Sequence, residues 1–339
     1  MPRRRSGPVG AETVVAMDVG GTEVKTAVLA LDGTVLEAGS RPTRREAGAA
    51  ATAERVLSLG AELCSRAAEL TGRPPLAAGV VVPGVVDESA GVAVHAANLG
   101  WRDLALRSRL EERLGLPVAF GHDVRAGALA EQRLGAGRGR DPFLFVPLGT
   151  GIAAGVVSGG RLVQGWAGGA GEIGHLTVDP DGERCGCGGW GCLETVASAS
   201  GVAAGYVRAG GAPGSTSAQV AAAVRAGDPV AGKVWAQAVS ALADVLSTCV
   251  TVLAPQAVAV GGGLAQAGEL LLAPLREALS ERLKPFQPAP SIVPAELGAR
   301  AGCLGAGLMA SDLAGGPVGV GAGVGERGDS WSIHPVAGG

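Results

Sequence analysis

The chain has few aromatic residues, no excess of positive charge and no long apolar run. Aromatic residues make up 3% of its 339 residues although hydrophobic residues make up 47%, so the core must be built from Ala, Val and Leu. No segment approaches the ~20 apolar residues of a membrane helix, and the run at 13–17 is shorter than the ~7–15 residues of a signal-peptide core. A net charge of −3 offers no basic field to nucleic acid. We therefore expect a cytoplasmic protein with no membrane and no nucleic-acid partner.

Glycine, in contrast, is abundant, with 58 residues. Three glycine turns follow predicted strands, with the sequences DVGGT at 18–22, LGTG at 148–151 and VGGG at 260–263. Glycine lets backbone N–H groups approach an anion closely, and Asp18 could hold Mg²⁺ through water. The first turn on its own is equally compatible with an ordinary hairpin. Three such turns together predict a phosphate clamp and a wall for a purine.

The order of the predicted elements is typical of a mixed α/β protein with two lobes. Strands are predicted at 13–18, 25–31 and 34–38, with a hairpin turn at Asp32-Gly33, and another hairpin at 143–157 through Gly149-Thr150. Amphipathic or alanine-rich patterns predict helices over 49–70, 103–114, 126–134, 218–253 with a break at Gly227-Asp228-Pro229, 269–283 and 299–313. We expect a small α/β lobe from 12–124 plus 299–313, a large lobe from 125–298, and disordered ends at 1–11 and 314–339.

Four metal-ligand candidates lie in the run AGEIGHLTVDPDGERCGCGGWGCLE, namely His175, Cys185, Cys187 and Cys192. Three thiolates and one imidazole form a closed tetrahedral zinc site, which is structural rather than catalytic. A disulfide with a spare thiol is the alternative, but a C-x-C pair is too cramped to bridge itself. The sequence therefore predicts a zinc loop over 175–192.

Two glutamates flank this loop, Glu172 and Glu194. A rigid, metal-held loop is the kind of support that ligand-binding side chains need. His175 can serve twice, with one ring nitrogen on the metal and the other offered to a ligand or a neighbouring acceptor.

Asp123 follows His122 at the end of a predicted strand. A carboxylate there can accept the proton of a hydroxyl nucleophile in phosphoryl transfer. It can equally be the N-cap of the next helix, and the residues alone leave the two interpretations nearly even. Asn98 is similarly either a turn residue or a reader of hydroxyl groups.

Together these residues resemble the ROK family (repressors, open reading frames and sugar kinases), and most closely its bacterial glucokinases. The resemblance runs from Thr13 to about Leu313. Its histidine-cysteine run is specific to the family, whereas the glycine turns are not. The other matching segments are D-x-G-G-T at 18–22, N-x-x-W at 98–101, Asp123 with Glu131, L-G-T-G at 148–151, G-G-G at 261–263 and LGARAGCLGAG at 297–307.

The resemblance implies an actin-like, hexokinase-type (ribonuclease H-like) α/β fold whose two lobes close over a cleft, and a homodimer or higher homo-oligomer. It implies ATP with Mg²⁺, bound by Asp18, Gly20, Gly21, Thr22, Thr150, Gly151, Gly261, Gly262 and Gly263. It implies a hexose held by Asn98, His122, Asp123, Glu172, His175 and Glu194. Asp123 would be the general base on the sugar 6-hydroxyl.

One departure from the family is His122, which stands where sugar kinases of this group usually carry asparagine. Glucose is the expected hexose, with mannose, fructose or an N-acetylhexosamine as alternatives. The rival class is a sugar-responsive transcriptional regulator lacking its DNA-binding domain. About a dozen residues precede the first strand, too few for a helix-turn-helix domain, so we expect no sequence-specific DNA binding. A catalytically silent sugar-binding protein would have lost the base or the phosphate loops, which are present.

Overall fold

The computed structural model describes residues 10–315. Nearly all of the two ends expected to be disordered lies outside this range. The strands of the described part are β1 (Thr13–Val19), β2 (Glu23–Ala30), β3 (Val35–Pro42), β4 (Ala77–Val82), β5 (Val85–Asp87), β6 (Val92–Ala96), β7 (Trp101–Leu104), β8 (Val118–His122), β9 (Phe143–Pro147), β10 (Gly155–Ser158), β11 (Arg161–Leu162), β12 (Ala257–Gly261) and β13 (Ser291–Pro294).

The α-helices of the same residues are α1 (Ala49–Thr71), α2 (Leu106–Leu114), α3 (Asp123–Leu134), α4 (Leu193–Ala197), α5 (Ala199–Arg208), α6 (Ser217–Arg225), α7 (Pro229–Leu253), α8 (Gly262–Ala265), α9 (Glu269–Arg282) and α10 (Ala301–Leu313). The chain divides into two compact units. The first comprises the described residues up to Ala130, those from Arg300 onward and the segment Trp166–Gly168, and the second comprises Glu131–Gly165 and Gly169–Ala299.

The first unit is built on a mixed sheet of order β3-β2-β1-β4-β8, in which β1, β4 and β8 are parallel. Successive side chains of a strand point to opposite faces of the sheet, so both faces need a helix to cover them. Helix α1 covers one face, where a Cβ on Gly60 would lie 3.3 Å from the end of the Met17 side chain. On the other face α10 comes so close that a Cβ on Gly79 would lie 1.9 Å from the carbonyl oxygen of Ala306. This close approach explains how a core with few aromatic residues is filled by small side chains.

The second unit repeats this plan, with a mixed sheet of order β11-β10-β9-β12-β13 in which β9, β12 and β13 are parallel. Its core gathers around α7, which packs against α4, α5, α6 and α9. By length and composition α7 could cross a membrane, which corrects the expectation that no segment is apolar enough. Half of the most apolar 18-residue stretch of α7 is buried inside the protein, and the core helix of a globular protein can be equally long and apolar.

Two local predictions are wrong in their bounds. The helix expected over 103–114 begins at Leu106, because Trp101–Leu104 pairs with β6 as a strand. The helix expected from Ala126 begins at Asp123. The hairpin predicted through Gly149-Thr150 is confirmed, because β9 and β10 are antiparallel with Phe145 opposite Gly155, and the isolated bridge between Leu148 and Ile152 keeps the same register around the turn.

Candidate active site

Asp123 lies in the first unit at the junction of β8 and α3. It is the first residue of the helix, and its Oδ1 accepts the N–H of Val124 at 2.7 Å. The Nδ1 of His122 lies 3.2 Å from the Val124 nitrogen, so the imidazole and the Asp123 carboxylate share this N–H at the helix start. The His122 side chain is 9% exposed and that of Asp123 is 31% exposed. The carboxylate is therefore both a helix-start acceptor and accessible to a ligand.

A second carboxylate, Asp18, stands near Asp123. Its Oδ2 lies 3.9 Å from the Nζ of Lys25, and its side chain is 13% exposed. Burial, with a further contribution from the negative charge of Asp123, raises the pKa of Asp18 to about 7. Desolvation by the surrounding protein raises the pKa of Asp123 to about 6, while Lys25 and Arg125 oppose the shift. Such raised values suit a general base and a cation site.

The DVGGT loop turns between β1 and β2, beside Asn98. The N–H of Gly20 donates to the carbonyl of Glu23 at 2.9 Å, so this N–H closes the turn. Gly21 faces Asn98, whose Cβ lies 3.3 Å from the position that a Cβ on Gly21 would occupy. Thr22 and Asn98 are exposed. The structure thus brings a predicted phosphate-loop residue next to a predicted hexose ligand.

The other two glycine turns meet each other in the second unit. The N–H of Leu148 donates to the carbonyl of Gly261 at 2.8 Å, and the N–H of Leu264 donates to the carbonyl of Leu148 at 3.1 Å. Gly262 has a φ of +79°, and a Cβ there would lie 2.5 Å from the Leu148 backbone. Glycine is therefore required at 262, whereas a Cβ on Gly263 would meet nothing within 4 Å.

The four zinc-ligand candidates also come together in the second unit. The donor atoms of His175, Cys185, Cys187 and Cys192 all lie within 4.8 Å of one another. The Sγ atoms of Cys187 and Cys192 are 3.7 Å apart, and His175 Nδ1 is 3.6 Å from Cys185 Sγ. Zinc bound about 2.3 Å from each sulfur places tetrahedral sulfurs about 3.8 Å apart, so the donors fit a zinc ion.

Glu172 and Glu194 lie beside this cluster. His175 presents Nδ1 to the cysteines, while its Nε2 lies 3.9 Å from Glu172 Oε2. Glu194 Oε1 lies 3.0 Å from Cys185 Sγ and 3.7 Å from His175 Nδ1. A Cβ on Gly151 would lie 2.8 Å from Glu194 Oε2, so the LGTG turn reaches the same place.

Sequence reasoning missed two residues at the Asp123 junction, Glu88 and Arg125. Glu88 Oε1 accepts the His122 N–H at 3.2 Å and the Arg125 Nε–H at 2.7 Å. An arginine inside the apolar run VRAGALA was the signal available, since a charge there needs a partner.

The sequence of this chain is similar to those of known sugar kinases. The sequence profile of the ROK family matches residues 14–313. The glucokinase of Halalkalibacterium halodurans is 34% identical over 280 residues, which are 78% of this chain and 84% of that protein. Among solved structures, a ROK hexokinase from Thermus thermophilus has a TM-score of 0.79 and 38% identity, covering 88% of this chain and 97% of the other.

A ROK family glucokinase from Streptomyces griseus, solved in complex with glucose and AMPPNP, has a TM-score of 0.74 and 30% identity. The match covers 88% of this chain and 99% of that one. These likenesses confirm the α/β fold with two mixed sheets in two lobes.

Proposed function

The chain belongs to the ROK family, and on that premise we propose that it transfers the γ-phosphoryl group of ATP to the 6-hydroxyl of a hexose, with glucose as the expected substrate. It is a glucokinase-like sugar kinase, similar over most of its length to proteins of that name. The observation that carries the proposal is an accessible carboxylate, Asp123, at a strand-to-helix junction beside Asp18 and Lys25.

Asp123 would act as the general base. Its pKa of about 6 leaves it ionised at neutral pH and able to accept the hydroxyl proton as the oxygen attacks phosphorus. The proton leaves the sugar oxygen for Oδ of Asp123, the new O–P bond forms, and the bond between the γ-phosphorus and the bridging oxygen of ADP breaks. The Val124 N–H binds Oδ1 of Asp123 and so fixes the orientation of the carboxylate. Oδ2 then has a fixed direction, which favours its alignment with that hydroxyl.

The nucleotide would be held by the three glycine turns. Gly21 and Thr22 in the first unit, with Thr150 and Gly151 in the second, are proposed to bind the phosphates, while Gly261, Gly262 and Gly263 would contact adenosine. Because the Gly20 N–H closes its own turn, Gly20 would contribute by its lack of a side chain rather than by that donor. Mg²⁺ near Asp18 would supply charge neutralisation at the phosphates when bound.

Asn98, Asp123, Glu172, His175 and Glu194 would contact the hexose. Carboxylates suit a sugar because each can accept two hydroxyl hydrogen bonds. Zinc on the four ligand side chains would hold Glu172 and Glu194 in place without touching the reacting atoms. His122 is 9% exposed and bonded to the backbone of Val124, so its influence on the choice of hexose would be exerted largely through the orientation of Asp123.

The test is a panel of hexoses with ATP and Mg²⁺, with the product identified by its phosphate position. We expect turnover with glucose, product phosphorylated at O6, and no turnover with 6-deoxyglucose. Turnover confined to mannose, fructose or an N-acetylhexosamine would replace glucose and keep the mechanism. A chain that binds sugars but phosphorylates none of the panel would overturn the proposal in favour of a regulator.

None of the six cysteines of the described residues forms a disulfide. Reduced thiols are typical of the cytoplasm, and a cytoplasmic location is part of this proposal. So is assembly as a homodimer, which light scattering of the purified chain would test.

A further inference from the structure

A buried ion pair contacts the chain on both sides of the proposed base. Arg125 Nε is 2.7 Å from Glu88 Oε1, and their side chains are only 3% and 6% exposed. Glu88 follows β5 in the chain, and Arg125 lies in the first turn of α3. The pair therefore ties the short β5 region to the start of the helix that carries Asp123.

The contacts of this ion pair involve residues on both sides of Asp123 in the sequence. Glu88 Oε1 accepts the N–H of His122, the residue before Asp123, at 3.2 Å, and binds the guanidinium of Arg125, two residues after it. Arg125 Nη1 also donates to the carbonyl of Gly168 at 2.9 Å, within the same unit. One carboxylate thus holds the backbone and the side chain on either side of the proposed base.

Stability alone is a weak reason for such a pair. Burying two charges costs desolvation free energy that their attraction often fails to recover, and apolar replacements are frequently neutral or better. Moreover, Arg125 Nη2 is buried without a hydrogen-bond partner among the described residues, which adds a cost. A network kept at such a cost is better explained by the geometry that it imposes.

We propose, on the basis of the proposed function, that Glu88 and Arg125 are positioning residues that hold the strand-to-helix turn of Asp123 and set the electrostatic field at its carboxylate. Neither touches the substrate. The charged groups around Asp123 are Asp18 on β1, Lys25 on β2, Glu88 after β5 and Arg125 on α3, and His122 ends β8. Since Asp18 and Lys25 stay constant in the variants below, changes in the field come from the pair.

The test is the pH profile of kcat/KM for the hexose in Glu88→Gln, Arg125→Gln and the double variant. Loss of the Arg125 charge leaves the negative charge of Glu88 unbalanced near Asp123. The pKa of Asp123 therefore rises, and the acid limb moves to higher pH by about half a pH unit or more. Loss of the Glu88 charge leaves Arg125 unbalanced, so the limb moves to lower pH. The double variant keeps hydrogen-bonding groups without charge, and its limb should return towards the wild-type position.

Each single variant should also lower kcat by about tenfold, with the KM for ATP unchanged, because misalignment affects the reacting carboxylate rather than the nucleotide. Arg113→Gln is the matched control, since Arg113 pairs with Glu54 at 3.0 Å on the surface of the same unit. It should leave both kcat and the limb unchanged.

Acid limbs that coincide in all variants, whatever happens to their unfolding midpoints, would make the pair purely structural and overturn the inference. Limbs that all move in one direction would do the same. Failure of the proposed function is distinguishable, because the wild type would then phosphorylate no hexose of the panel, or Asp123→Asn would retain wild-type turnover.

Discussion

Two regions that would contact the hexose are held in place by different means. Asp123 stands between β8 and α3, where backbone hydrogen bonds and the Glu88–Arg125 pair hold it. Between residues 169 and 192, all of which the structure describes, the only helix is the short 3-10 turn Ile173–His175, and strand pairing is limited to isolated bridges. There, four metal-ligand candidates lie beside Glu172, which is in irregular chain, and beside Glu194, the second residue of the short helix α4, so a bound metal would order the loop in place of regular structure.

The comparison indicates that a carboxylate can be oriented either by secondary structure or by a metal ion that cross-links a loop. A carboxylate held by a strand, a helix and a buried ion pair should change its alignment but stay at its site when one neighbouring side chain changes. A carboxylate held by a metal loop should lose its place when a single ligand is removed. Substitutions in the two regions should therefore separate turnover from binding.

The largest effect is expected from Asp123→Asn. The amide keeps the shape and the helix-start acceptor but cannot take the hydroxyl proton, so kcat should fall by ~10²-fold or more. If Asp123 served only the helix start, asparagine would do equally well there and turnover would hardly change. A coupled kinase assay measures the rate, and an unchanged unfolding midpoint confirms that the fold is intact.

Loss of a zinc ligand should have the next largest effect. Structural zinc contributes ~10–16 kcal/mol in small modules, so Cys187→Ser should loosen the loop and lower kcat/KM for the hexose by about 10–100-fold. The pH at which activity falls should not move, because Lys25 and Arg125, the charged groups that act on the pKa of Asp123, are unchanged. Cys64→Ser, a half-buried thiol on α1, is the matched control and should keep both metal and activity. Active wild-type enzyme without bound zinc by elemental analysis would refute the zinc assignment.

Gly262 and Gly263 provide a smaller comparison within one turn. A methyl group at 262 would meet the Leu148 backbone at a positive φ, whereas at 263 it would meet open space. We expect Gly262→Ala to lower the free energy of unfolding by about 1–2 kcal/mol and to raise the KM for ATP. Gly263→Ala should change stability by less than about 0.5 kcal/mol. Equal effects of the two substitutions in denaturant unfolding would contradict this geometry.

The smallest effect concerns pH. The pKa of Asp123 is raised to about 6, and only the ionised form can accept a proton, so activity is present above this value and is lost as the pH falls through it. The rate at pH 6 should be about half of that at pH 8. An acid limb near pH 4, the ordinary range of an aspartate, would show that the surrounding protein does not shift this carboxyl group.

Part of this architecture could be predicted from the sequence because its signals are local. Strand β1, the turn at Asp32-Gly33 and helix α1 follow from short-range patterns, and the structure confirms them. The four metal-ligand candidates were also predicted correctly to come together, since they fall within 18 residues and glycines separate the cysteines.

The rest depends on contacts between distant residues. The sheet β5-β6-β7 has strands of three to five residues interrupted by polar turns, too short for a clear alternation. Glu88 and Arg125 are 37 residues apart, and their pairing follows from the packing of β5 near β8, which no local pattern encodes. The role of His122 at the helix start depended on a boundary that sequence placed three residues too late.

The most direct test of these two modes of positioning is the affinity for glucose, measured by calorimetry without nucleotide on three proteins. These are the wild type, Asp123→Asn and the wild type stripped of zinc by a chelator. We predict that Asp123→Asn binds glucose within about threefold of the wild type, since it loses only proton transfer. The zinc-stripped protein should bind at least about tenfold more weakly, because Glu172 and Glu194 are released. Unchanged affinity after complete zinc removal, or loss of binding in Asp123→Asn, would contradict the account.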